Sequence, residues 1–242
     1  MKKHLFLIVG LVLSASLAMT QENSNPVLPQ LGENAPSFTA ESTNGTIDFP
    51  KDNGNSWKII FSHPADFTPV CSSEILELAS LQDDFKKLNV DIVVVSTDNL
   101  ESHKQWIKSL ESLEYKNRKT PKINFPLVDD HARTIAKQYG MIQPGNNGTK
   151  DVRGVFIIDP KNKIRAMFYY PMNIGRNTDE IKRTVLALQT ADKNTVLTPA
   201  NWQPGNDVLV PYLKYSKDQA ETAKKEDPNI YAVTWYMLFK KM

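Results

Sequence analysis

The chain predicts an α/β domain, a mixed central sheet flanked by helices, followed by a small C-terminal domain. Three observations carry that reading. The runs at 57–61 and 91–96 are rich in aromatic and β-branched residues, the composition of strands covered on both faces. After each run, apolar positions recur at three and four residues, the spacing of a helix with one buried face. Strand and helix patterns then alternate along the chain, as they do in layered α/β domains.

Taken in order, residues 21–35 are polar, with Pro26 and Pro29, and read as a flexible lead-in. Residues 35–40 and 46–49 flank Asn44-Gly45, a hairpin-type turn. The strand at 57–61 leads through a loop into a helix expected at 73–88, with Ile75, Leu76, Leu78, Ala79, Leu81, Phe85 and Leu88 on one face. A strand at 91–96 precedes a polar helix at 100–113 that packs through Trp106, Ile107 and Leu110. A short strand at 125–128 and a helix at 131–139 follow, closed by Gly140. Residues 143–151 form a Gly/Asn-rich loop, and 152–160 and 163–170 pair as strands turning at Lys161-Asn162. Thr178-Asp179-Glu180 opens a helix running to about 190. At Asn201-Trp202-Gln203-Pro204-Gly205 something new begins, then a charged stretch at 217–227 and a partly alternating run at 231–239 that reads as an edge strand. The expected division is 1–20, 30–192 and 193–242, with no internal repeat.

Residues 1–20 read as a secretory signal: a basic start at Met1-Lys2-Lys3-His4, an apolar run at 5–13, and small residues at Ser16-Leu17-Ala18. An uncleaved anchor is the competing reading, although the run is too short to span a bilayer. The expectation is export to a periplasm or the extracellular space, with no membrane attachment after signal removal. The formal net charge of the chain is +2, and the two lysines of the leader account for it. Near-neutral charge gives no reason to expect nucleic acid or an anionic membrane as partner.

The chain has one cysteine, so an exported form has no internal disulfide to rely on. Cys71 lies where the strand at 57–61 gives way to a helix, and unpaired N–H groups and the helix dipole there favour an anion such as a thiolate. A lone cysteine is commonly an inert buried side chain. The flanking residues argue otherwise. Pro64 and Pro69 stiffen the loop and remove backbone donors, and Thr68 sits three residues before the sulfur. Thr-x-x-Cys also has the spacing of a redox Cys-x-x-Cys motif with a hydroxyl in place of the first thiol.

Pro64-x-x-x-Thr68-x-x-Cys71 resembles the active-site signature of the peroxiredoxins, thiol peroxidases on a thioredoxin-like fold. The longer match Ser62-His63-Pro64-x-Asp66-Phe67-Thr68-Pro69-Val70-Cys71 is similar to the one-cysteine subfamily with a C-terminal extension. The resemblance implies that 35–49 is an N-terminal hairpin beside the core. It also implies that the segment from Asn201 packs over the partner subunit of a homodimer. Cys71 is then the nucleophile that reduces hydrogen peroxide and small organic hydroperoxides. Thr68 is expected to accept the proton of the attacked oxygen and donate to the thiolate. Arg153 matches the arginine that touches sulfur and peroxide, and a guanidinium stays charged. Pro64 shields the sulfur from water, and His63 and Arg176 match positions around the same pocket.

Each assignment has a plainer alternative: Arg153 as a solvated charge at a strand edge, Arg176 as a loop anchor, His63 as a polar residue fixing a strand end. His103 and His131 fall in helix patterns and read as surface residues. No cofactor or metal is expected, since no His/Cys/Asp/Glu cluster has ligand spacing and no glycine loop cradles phosphate. Asn44-Gly45-Thr46 and Asn147-Gly148-Thr149 fit a glycosylation pattern but read more simply as turns. With no second cysteine, the oxidised sulfur needs an external thiol reductant, a thioredoxin-like protein or a small thiol. The alternative function is a redox sensor or chaperone-like thiol protein with little turnover. Some relatives in this subfamily carry a phospholipase triad. Here Ser56 keeps the serine position, while Pro50 and Lys161 stand where the histidine and aspartate belong, so no phospholipase activity is expected.

Overall fold

The computed structural model describes residues 28–143, 149–211 and 217–242. The leader expected at 1–20, Asn147-Gly148, and Tyr212 to Tyr215 lie outside the described residues. In chain order the first half contains β1 (Phe38–Ser42), β2 (Gly45–Phe49), β3 (Trp57–Ser62), α1 (Pro69–Lys87), β4 (Val90–Ser96), α2 (Leu100–Glu111), β5 (Glu114–Tyr115), β6 (Arg118–Lys119) and β7 (Leu127–Asp129). The second half contains α3 (Thr134–Gln138), β8 (Arg153–Ile158), β9 (Ile164–Tyr170), α4 (Thr178–Asn194), β10 (Val208–Leu209), α5 (Lys217–Glu226), β11 (Ile230–Thr234) and β12 (Met237–Lys240).

Seven strands form a mixed sheet in the order β2-β1-β7-β4-β3-β8-β9. β3, β4 and β7 run parallel, and the hairpin pairs β1–β2 and β8–β9 add antiparallel edges. The strand period of two sends alternate residues to opposite faces. Ile59 and Phe61 of β3, with Val94, Val155 and Ile157, meet Cys71, Ile75 and Leu78 of α1, Trp106 and Leu110 of α2, and Ile181 and Val185 of α4. Ile60, Val93, Val95, Phe156 and Ile158 meet Phe38, Phe49, Ile135 and Tyr139 on the other face. Two cores therefore sandwich β3 and β4, and each fully buried side chain of this kind contributes about 1.5–3 kcal/mol.

Several elements differ from expectation. Helix α1 starts at Pro69, four residues before the expected 73, so Cys71 lies inside its first turn. Proline at the first helical position costs no hydrogen bond and has the right φ, so Pro69 begins the helix rather than stiffening a loop. Helix α3 spans only Thr134–Gln138, because Arg133 is left-handed (φ 60°) and the Asp130 carboxylate caps Thr134, Ile135 and Ala136. Gly140 follows it at φ 62°. Helix α4 extends to Asn194, and its cap is Asn177, whose side chain accepts from Glu180 N at 3.1 Å. The run at 231–239 is a hairpin rather than a single edge strand. Its second arm, β12, lies between β10 and β11 in a small sheet. The charged stretch before it is helix α5.

Candidate active site

The fold delivers Cys71 from one side and two arginines from the other. β3 is central and ends at Ser62, where the chain leaves the sheet. Phe67 turns it in the left-handed region (φ 54°), and Thr68 is extended as the cap of α1. Cys71, third in the helix, is buried against the sheet with the helix N-terminus behind it. β8, antiparallel to β3, brings its first residue, Arg153, to the same end of the sheet.

Arg153 Nη1 lies 3.2 Å from Cys71 Sγ and 2.7 Å from Glu74 Oε2. Its Nε and Nη2 both donate to the Met172 carbonyl, at 2.9 and 2.6 Å, which fixes the plane of the guanidinium. Arg176 donates to Glu74 through its backbone N, Nε and Nη2, and its Nη1 donates to the Ser62 and Gly154 carbonyls. Its guanidinium carbon sits 3.3 Å from the centroid of the Phe61 ring. Arg153, Arg176 and Glu74 are all buried. Two cations therefore face one carboxylate inside the protein, and a second anion is needed for neutrality. Buried charges persist only when paired, and the Cys71 sulfur lies against this cluster in the first turn of α1.

Glu74 is absent from the sequence expectations. It stands one helical turn after Cys71, on the same face, and that spacing is its one sequence signal. The Thr68 hydroxyl does not donate to the sulfur as expected. Its proton goes to the Ala65 carbonyl at 2.9 Å, because the loop folds back within one turn. Its lone pairs remain available to a peroxide proton. Pro64 is buried beside the sulfur loop. Arg176 does not meet Sγ directly; it clamps Glu74 and the ends of β3 and β8.

His63 is fully buried, 4.9 Å from the Trp106 ring centroid, with Nε2 3.6 Å from Asp66 Oδ1. Neither ring nitrogen makes a hydrogen bond of full geometry, although the Ala65 backbone lies close. Burial, with the charges of His103, Arg176 and Arg153 adding to it, holds its pKa well below that of an ordinary histidine. The unfolded chain takes up this proton below roughly pH 6.5 and the folded one does so only at lower pH. Stability from His63 is therefore complete above that pH and is lost as pH falls. Thermal melts of His63→Gln are expected to show a shallower loss between pH 7 and 5 than the parent; an identical slope would contradict a buried neutral imidazole.

His103 is not a surface residue. It lies on the buried stripe of α2 with Trp106 and Leu110, its Nδ1 2.8 Å from Asp66 Oδ2 and its Nε2 3.2 Å from the Val128 carbonyl. Asp66 is held as well by Ser102 Oγ at 2.7 Å. His131 is exposed, as expected, but on a turn, where Nδ1 meets Asp129 Oδ1 at 2.6 Å. The Ser56 hydroxyl donates to the Asn89 side-chain oxygen at 3.3 Å, which is no base for a nucleophile. Two surface clefts run along Asn53, Asp91 and Pro126 and along Trp57, Arg165 and Asp192, and neither is lined by Cys71. Among the described residues no group of acids, histidines and cysteine is placed to hold a metal ion, and no helix is long and apolar enough to cross a membrane.

Comparison with known proteins agrees with this geometry. Residues 31–167 match the AhpC/TSA family, and residues 187–222 match the C-terminal domain of 1-Cys peroxiredoxin. A peroxiredoxin of Methanosarcina mazei is 46% identical over 215 residues, covering 88% of this chain and 98% of that one. A mitochondrial peroxiredoxin of Saccharomyces cerevisiae is 42% identical over 198 residues, covering 79% of this chain and 74% of that one. Among solved structures, the yeast mitochondrial 1-Cys peroxiredoxin superposes with a TM-score of 0.78 at 39% identity, over 89% of this chain and all of that one. Peroxiredoxin 6 of Arenicola marina gives 0.77 at 36%, over 88% and 97%.

Proposed function

The chain belongs to the AhpC/TSA family of peroxiredoxins and to its one-cysteine branch, and on that premise we propose how its buried cluster reduces peroxides. It is a thiol-dependent peroxidase whose oxidised cysteine is resolved by an external thiol. The observation that carries the residue assignment is the cluster of two guanidiniums and one carboxylate around Cys71 Sγ, which is one negative charge short.

The thiolate attacks the near oxygen of hydrogen peroxide or a small organic hydroperoxide. The S–O bond forms as the O–O bond breaks, and the departing hydroxide or alkoxide takes a proton to leave as water or alcohol. Cys71 is left as the sulfenic acid. Arg153 stabilises the charge building on the oxygens, since a fixed cation in a water-poor site needs no reorganisation. Thr68 accepts the peroxide proton and orients the substrate, while Pro64 keeps water from the sulfur. Arg176 acts through Glu74, and His63 packs beneath the loop. One external thiol then condenses with the sulfenic acid, releasing water and forming a mixed disulfide. A second thiol displaces Cys71 and leaves as the external disulfide. The yeast mitochondrial relative is described as resolved through glutathione and thioredoxin systems, which supports either donor class here.

Two further readings belong with this proposal. The protein is exported, on the strength of the leader at 1–20. It is a homodimer, which the exposed Val233, Trp235 and Tyr236 of the C-terminal hairpin support, since clustered apolar surface favours a partner.

The test is peroxide consumption by the purified protein with glutathione or a thioredoxin as donor, with Cys71→Ser as the blank. Many turnovers are expected, and without donor Cys71 gains the mass of one oxygen. Consumption that stops at one equivalent in the presence of every donor makes the protein a sensor and overturns the reading.

A further inference from the structure

We propose that Lys150 and Asp98 are positioning residues, a clasp that ties the strap carrying Arg153 to the loop carrying Cys71 and so sets the guanidinium–sulfur distance. The inference rests on the peroxidase reading above and adds two residues to it.

The two halves of the site come from different parts of the chain and need a common register. On the sulfur side, β3 ends at Ser62 and the loop runs through Asp66 to Thr68. On the arginine side, residues 150–152 lead into β8. Ser62 joins them at one point, its hydroxyl donating to the Val152 carbonyl at 2.7 Å and accepting from Gly154 N at 2.9 Å, on either side of Arg153. Those bonds fix the base of the loop. Farther along, Asp66 is held through its side chain by His103 and Ser102 and through its backbone N by Asp98, in the turn after β4. Asp98 Oδ2 accepts from Asp66 N at 2.6 Å and Oδ1 accepts from Lys150 Nζ at 2.8 Å. One carboxylate thus spans the reactive loop and the strap, and its own backbone N donates to Ser96 Oγ at 3.2 Å.

The neighbouring charges direct Lys150 to Asp98 rather than elsewhere. Asp151 is buried with both carboxylate oxygens unpartnered. Burial, reinforced by Asp130 and Asp98 and opposed by Lys150, holds its carboxyl well above the ordinary range and so toward the protonated form. Asp130 is spent on three backbone N–H groups of α3. Asp66 Oδ2 is engaged by His103 and Ser102, while its Oδ1 lies buried 3.6 Å from His63 Nε2. The Asp98 carboxylate is the anion that receives the ammonium, and its negative charge strengthens the contact from Asp66 N.

The experiment measures the rate of Cys71 oxidation by hydrogen peroxide and the thiolate ultraviolet absorbance at neutral pH, in the parent, Lys150→Met, Lys150→Arg, Asp98→Ala and the double variant. The Lys150–Asp98 pair is partly exposed, so Lys150→Met is expected to slow oxidation roughly three- to fivefold. Asp98→Ala, which also frees Asp66 N, should slow it about tenfold. Thiolate absorbance should fall in both, Lys150→Arg should restore both readouts, and the double variant should be no slower than Asp98→Ala. Parent-like readouts in Lys150→Met overturn the proposal, and so do effects that multiply in the double variant. Should Asp98→Ala fail to fold, the two Lys150 variants decide alone. Thiolate absorbance is a property of the sulfur and is read with or without turnover. Absent turnover in the parent sinks the peroxidase reading, whereas unchanged absorbance in Lys150→Met sinks the clasp.

Discussion

Arg153→Met is expected to slow peroxide reduction roughly 10²- to 10³-fold, the cost of removing one fixed donor from a site that stabilises developing charge. The geometry explains why so much depends on it. Among the described residues Arg153 is the one cation whose donor reaches Cys71 Sγ; Arg176 is consumed by Glu74, Ser62 and Gly154. With Arg153 gone, Arg176 and Glu74 form a neutral pair and the cluster no longer needs an anion at the sulfur. Methionine also strands the Met172 carbonyl, which loses two donors. Arg153→Lys keeps the charge but not the planar fork that meets Met172, Glu74 and the sulfur together, so it should recover only part of the rate. The fold should survive, because Glu74 keeps its other arginine. Stopped-flow oxidation of Cys71 beside a thermal melt separates the two effects. A rate within a few-fold of the parent, with the melt unchanged, would remove Arg153 from the chemistry.

What was legible in the sequence is what depends on local pattern. β3 and β4 read correctly because unbroken apolar runs between turn signals have few alternatives, and the β1–β2 hairpin because Asn44-Gly45 specifies its turn. Cys71, Thr68 and Pro64 stand in one motif and Arg153 was assigned through the family resemblance; the structure brings the arginine to the sulfur, while the Thr68 hydroxyl donates to the Ala65 carbonyl instead. What escaped depends on residues far apart in the chain. Glu74 looks like an ordinary solvated charge on a helix; it is buried because Arg153 and Arg176 arrive 79 and 102 residues later. His103 looked like a surface residue because its partners, Asp66 and the Val128 carbonyl, sit on other elements. Lys58 repeats the lesson inside β3, buried in a central strand with its ammonium satisfied by the Gly54 carbonyl and the Asn162 side chain. The start of α1 was misplaced for a different reason: Pro69 fits both a stiff loop and a first helical turn, and only the backbone decides.

Glu74→Ala should be the most damaging single change to the fold near the site. Removing the carboxylate leaves two buried guanidiniums facing each other with only the sulfur between them, and breaking a buried ion pair in this way costs about 3–5 kcal/mol. For a domain of this size that corresponds to a fall in Tm of about 10 °C. Glu74→Gln keeps the shape, but its amide can accept through one oxygen only, while the carboxylate now takes four donors, so most of the loss should remain. The partner test is Glu74→Ala combined with Arg176→Met. Removing one cation together with the anion restores the balance of Arg153 against the thiolate, so the double variant should be more stable than Glu74→Ala alone and should regain part of its activity. Strictly additive losses in that cycle would mean that Arg176 and Glu74 act independently, and the charge argument for the ionised sulfur would fail with them.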